Sequence, residues 1–102
     1  MTCVKLNCPD FIAHYQAVPP ADRVLLDVRT HDEVVDGMLP NAVHIPLDEL
    51  EVRGSELDKS KEIYLYCRSG MRSQTAMDIL QYKGFEKIVC SIEGGYEQLK
   101  SI

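Results

Sequence analysis

The apolar residues of this chain come in short, strand-sized runs separated by stretches of helical character, and that alternation limits the fold more than any other feature. Arg23-Val24-Leu25-Leu26-Asp27-Val28 is a nearly continuous apolar run, the pattern of a strand inside a parallel sheet. Asn41-Ala42-Val43-His44-Ile45-Pro46 and Lys61-Glu62-Ile63-Tyr64-Leu65-Tyr66-Cys67 read as further strands, and Lys87 to Cys90 as the last. Parallel neighbours cannot be joined by a tight turn and need crossovers, usually helices. The predicted fold class is α/β: three layers around a mostly parallel sheet. With 102 residues there is room for one core, so a single domain over residues 1–102 is expected.

The intervening segments carry helix signals. After a short edge strand at Val4-Lys5-Leu6, Asn7 or Cys8 can cap a helix. Pro9 suits its first turn and Asp10 the positive end of its dipole. Phe11, Ile12 and Tyr15 form its buried stripe, and Pro19-Pro20 end it. Thr30 with Glu33 makes a capping-box pattern for a short helix from His31 to Asp36, stopped by Gly37. A short helix is expected over Asp48 to Val52. A longer one runs roughly from Gln74 to Lys83, with Ala76, Ile79 and Leu80 on one face and Gly84 at its end. Gly94-Gly95 leads into a terminal helix.

Charge and composition exclude several function classes. Eleven Lys and Arg against 16 Asp and Glu give a formal net charge of −5, with no basic stripe. Such a chain is ill-suited to nucleic acid or an anionic membrane surface. No apolar run approaches the ~20 residues of a membrane-spanning helix. Met1-Thr2-Cys3-Val4-Lys5 lacks the regions of a secretory signal, so a cytoplasmic protein is expected. The four cysteines, Cys3, Cys8, Cys67 and Cys90, show no second half of a zinc site, and no metal or organic cofactor is expected. His14, His31 and His44 are scattered and read as surface or turn residues rather than bases.

Chemistry concentrates in Tyr66-Cys67-Arg68-Ser69-Gly70-Met71-Arg72-Ser73. A cysteine stands where a buried strand ends, and a short Gly-containing loop leads straight into a helix. Ligands of open α/β sheets bind at the carboxyl ends of strands. If the loop curls round the sulfur, backbone N–H groups from about Arg68 to Ser73 converge on it. The helix adds the positive end of its dipole, and Arg68 and Arg72 add two positive charges. These effects favour thiolate over thiol and mark Cys67 as the reactive cysteine, with no His–Asp partner required.

The chain resembles the single-domain rhodanese-like sulfurtransferases from about Asn7 to Leu99. The resemblance rests on Leu26-Asp27-Val28-Arg29 with Glu33 and Gly37, and on Pro40-Asn41-Ala42-Val43-His44-Ile45-Pro46. It continues through the Cys67–Ser73 loop, Lys83-Gly84-Phe85 and Glu93-Gly94-Gly95-Tyr96. It implies a five-stranded, largely parallel sheet with helices on both sides, and a persulfide carried on Cys67. It also implies ping-pong transfer. Cys67 takes the outer sulfur of a small anionic donor such as thiosulfate, and an acceptor removes it: cyanide in a test tube, or a thiol or protein cysteine. Residues Arg68, Ser69, Gly70, Met71, Arg72 and Ser73 then hold the donor, with Asp27 and Arg29 as supporting scaffold and Arg29 paired to Glu33. Two loop arginines favour thiosulfate or a carboxylate-bearing persulfide over mercaptopyruvate.

The chain departs from the family pattern in places. Met38 stands where relatives commonly have His, Asn41 where they have Gly, and Leu99 where they have an aromatic. The stretch from Lys87 to Glu93 is about one residue longer than usual. Two other functions are compatible with this fold. A cysteine phosphatase or arsenate reductase needs C-x-x-x-x-x-R, but here Arg72 comes five residues after Cys67. A non-catalytic docking module has no need of the nucleophile. Cys90 reads as a buried strand residue or, if its strand ends there, as a resolving cysteine near Cys67. Cys3 and Cys8 read as inert.

Overall fold

The computed structural model describes residues 2–101. Five strands, β1 (Thr2–Asn7), β2 (Arg23–Asp27), β3 (Ala42–His44), β4 (Glu62–Tyr66) and β5 (Lys87–Glu93), form one sheet in the order β1-β5-β4-β2-β3. Every pairing is parallel. The crossovers contain α1 (Cys8–Ala17), α2 (His31–Val34), α3 (Leu50–Arg53) and α4 (Met71–Tyr82), and α5 (Tyr96–Leu99) follows β5. No helix among the described residues is long and apolar enough to cross a membrane.

The sheet is covered on both faces, which explains why its central strands are apolar at successive positions. Leu25, Tyr64, Tyr66 and Val89 point to one side, where they pack with Cys8 and Phe11 of α1 and Leu99 of α5. Leu26, Ile63, Leu65, Ile88 and Cys90 point to the other, against Leu50 of α3 and Ala76, Met77 and Leu80 of α4. Each Leu, Ile, Val, Phe or Met among them contributes about 1.5–3 kcal/mol when withdrawn from water, before its lost entropy is counted.

Local signals worked as predicted at two helix starts. Asn7 caps α1 by accepting the Asp10 N–H at 2.9 Å, and Thr30 and Glu33 close a full capping box on α2. Several boundaries differ from expectation. α2 ends at Val34 rather than Asp36, and β3 ends at His44. α4 begins at Met71, three residues before the predicted Gln74, because Gly70 (φ +96°) turns the chain directly into it. β5 extends to Glu93 because β1 continues to pair beside it.

Two departures from the family pattern acquire a structural account. Asn41 has φ +68°, a left-handed conformation that Gly adopts freely and Asn tolerates best among other residues. The β1–β5 register jumps from Leu6↔Ser91 to Asn7↔Glu93, so Ile92 is the extra residue of a bulge.

Candidate active site

β2 and β4 are neighbours and end together, pairing Asp27 with Tyr66. Cys67 follows Tyr66 at this carboxyl edge and is fully buried. Only Cys67 to Gly70 separate β4 from α4, so Arg72 and Ser73 belong to the first helical turn rather than to the loop. The Gly70 N–H donates to the Cys67 Sγ at 3.0 Å, and Gly70 is the N-cap of the 12-residue α4. The sulfur therefore sits at the positive end of that helix.

The loop is fixed from behind. A Cβ on Gly70 would overlap the Ile92 carbonyl of β5. A Cβ on Gly95 would overlap the Cys67 carbonyl, which accepts the Tyr96 N–H at 2.9 Å. Ser73 is fully buried, and its hydroxyl lies 2.6 Å from the Ser91 carbonyl and 3.1 Å from that of Gly70. It faces the interior, where its bonds tie α4 to β5 and to the loop. Ser69 and Met71 are exposed, as is Arg68, which has no ion pair among the described residues.

Two arginines have other partners than expected. Arg29 does not pair with the Glu33 carboxylate; its guanidinium binds the buried Asp27 carboxylate at 2.7–3.0 Å and the Gly37 carbonyl at 2.7 Å. It lies 4.0 Å over the Tyr96 ring, and its backbone N–H also bonds Asp27. Glu33 pairs instead with Arg72, at 2.5 and 2.8 Å. Hydrogen bonds from Arg72 hold the Glu33 carboxyl down at about 2, with Thr30 adding to the effect. The two pairs separate because Arg29 is drawn inward to a carboxylate two residues away in sequence.

Cys90 is not beside Cys67 in a neighbouring loop. It lies inside β5, paired in register with Leu65, and its thiol donates to the Ser73 hydroxyl at 3.3 Å. Burial pushes that thiol up to about 11. His44 donates from Nε2 to the Arg29 carbonyl at 2.7 Å, a support with no local sequence signal. Glu33 as the partner of Arg72 was equally invisible, since the two are 39 residues apart. Gly94-Gly95 was legible as a turn, but not as the clamp on Cys67.

The sequence profile of the rhodanese-like domain matches residues 11–102, nine-tenths of the chain. The chain belongs to the rhodanese-like domain family. This rhodanese-like domain is 44% identical over 71 residues to the putative sulfurtransferase YtwF of Bacillus subtilis, covering 70% of this chain and 67% of that protein. It is 32% identical over 93 residues to the thiosulfate sulfurtransferase GlpE of Coxiella burnetii, covering 88% and 86% respectively. A crystal structure of a rhodanese-like domain protein from Staphylococcus aureus superposes with a TM-score of 0.80 at 26% identity, covering 93% of this chain and 89% of that one. The rhodanese-like fold is thus the three-layer α/β architecture described above, and several curated relatives of the domain are named as sulfurtransferases.

Proposed function

We propose that this rhodanese-like domain is a sulfurtransferase in which Cys67 carries the transferred sulfur as a persulfide. The observation that carries the reading is the Gly70 N–H on the Cys67 Sγ, at the end of a parallel strand and the start of α4. That environment favours a sulfur anion, whether thiolate or persulfide.

The donor is a small anionic sulfane, thiosulfate or a related persulfide. The Cys67 thiolate attacks the outer sulfur of thiosulfate, the S–S bond to the sulfite group breaks, and sulfite leaves with the electron pair. An acceptor thiolate, or cyanide in vitro, then attacks the outer sulfur and restores the Cys67 thiolate. Loop N–H groups hold the negative charge in both steps, and Arg68 attracts the donor from the exposed rim. Asp27 and Arg29 keep the strand ends in place. Arg72 acts through Glu33, as a brace between α4 and α2. A phosphatase would need that arginine over the anion and one more loop residue, so transfer of sulfur is the better reading.

Intact-protein mass after incubation with thiosulfate tests this. The expected result is a gain of one sulfur atom that cyanide removes as thiocyanate and that Cys67→Ser abolishes. A chain that gains no sulfur from thiosulfate or any persulfide donor refutes the proposal.

A further inference from the structure

We propose that the preferred donor is the persulfide of a small thiol carrying both a carboxylate and an ammonium group, as in cysteine persulfide, read by Arg68 and Asp36. This rests on Cys67 being the sulfur carrier. A cleft of about 170 Å³ lies against the loop, lined by Arg29, Glu33, Asp36, Arg68, Tyr96 and Glu97. One wall is the residue next to Cys67, and another is Tyr96, whose N–H holds the Cys67 carbonyl. The cleft is smaller than the roughly 300–1,000 Å³ of drug-sized pockets and suits a ligand the size of an amino acid.

The charges of this cleft are mostly spoken for. Arg29 is bound by Asp27, and Glu33 by Arg72. Glu97 is bound by Lys100 at 2.9 Å; Lys100 also feels Asp36, but its ammonium is bonded to Glu97. Two charges are left over, Arg68 and Asp36, both exposed and neither in an ion pair among the described residues. They have opposite sign and do not pair with each other.

A dianion such as thiosulfate meets one attractive and one repulsive charge, whereas a zwitterion satisfies both. The carboxylate of the donor pairs with Arg68 and its ammonium with Asp36. In the reaction the Cys67 thiolate attacks the outer sulfur of R–S–SH, a new S–S bond forms, and R–S⁻ leaves with the electrons of the old one. The proton stays on the transferred sulfur.

The test is the rate of sulfur gain on Cys67, read by rapid-quench mass spectrometry. The donors are cysteine persulfide, the persulfides of 3-mercaptopropionate (carboxylate only) and cysteamine (ammonium only), and thiosulfate. Wild-type protein should prefer cysteine persulfide to each single-charge analogue. Arg68→Gln should lower its preference over the cysteamine compound about threefold, the scale of an exposed charge contact. Asp36→Asn should lower its preference over the 3-mercaptopropionate compound by a similar factor and speed thiosulfate use. Preferences that neither variant alters, or thiosulfate used faster than cysteine persulfide, overturn the proposal while leaving sulfur transfer intact. No sulfur on Cys67 from any donor overturns the transfer reading itself and this proposal with it.

Discussion

Arg72 and Glu33 are joined by two hydrogen bonds across 39 residues of sequence, one from each terminal guanidinium nitrogen. The same Glu33 carboxylate accepts the Thr30 N–H at 3.0 Å. One side chain thus closes the capping box of α2, neutralises the arginine nearest the loop and ties α2 to the first turn of α4.

Glu33→Gln separates these roles, since Gln can still close the capping box but carries no charge. The loss should be on the order of 1–2 kcal/mol, between an exposed ion pair and one withdrawn from water. Its pH dependence follows from the sign of the shift. The folded carboxyl is held at about 2, below its ordinary value of 4.5. A depressed group stabilises the fold above the unfolded value, and the effect fades as pH falls toward the folded one. Urea denaturation should show a wild-type advantage that is constant above about pH 5 and shrinks toward pH 2. An advantage undiminished near pH 2 would contradict the assignment.

Arg29→Met removes the partner of Asp27, whose carboxylate is fully buried. An uncompensated charge in that position should cost about 3–5 kcal/mol. Adding Asp27→Asn should recover part of the loss, because the buried charge is gone and the amide oxygen can still accept the backbone N–H of position 29. A double-mutant cycle by chemical denaturation checks this. Simple additivity of the two losses would show that the pair is not coupled.

Gly95→Ala probes the clamp behind the loop. Gly95 has φ −171°, which any residue adopts, so the requirement is purely one of space. Its Cβ would overlap the Cys67 carbonyl. Overpacking of this kind costs about 1–3 kcal/mol. The displaced loop should also slow sulfur gain on Cys67 by at least about tenfold, as small misplacements at a reacting centre do. Thermal unfolding and the mass assay read the two effects separately, and a stable, fully active variant would argue against the clamp.

Cys90→Ser should retain sulfur transfer, in contrast to Cys67→Ser. Cys67 lies two residues beyond Leu65, the register partner of Cys90. Strand spacing and rise put their Cα atoms about 8 Å apart, beyond the ~7 Å that a disulfide spans. Serine can keep the hydrogen bond to Ser73, so the stability loss should be about 1 kcal/mol. Wild-type protein treated with a mild oxidant should show no Cys67–Cys90 bridge in mapped peptides; finding one would restore the resolving role.

The sequence by itself determined the layers and pointed to the position on which the proposed chemistry rests. Apolar runs at Val24 to Leu26 and Ile63 to Cys67 specify strands buried on both faces, and Asn7 and Thr30 specify helix starts, because periodicity and capping act within a few residues. Cys67 stood out because strand, cysteine, glycine and helix are contiguous. Which charges remain free around it was decided only by tertiary structure. Arg29 and Arg72 look alike in sequence, yet Arg29 takes the buried Asp27 carboxylate two residues away, and the approach of α2 to α4 gives Arg72 the Glu33 carboxylate 39 residues away. The Arg72–Glu33 pair depends on a distance between two helices far apart in the chain, and no local spacing encodes that.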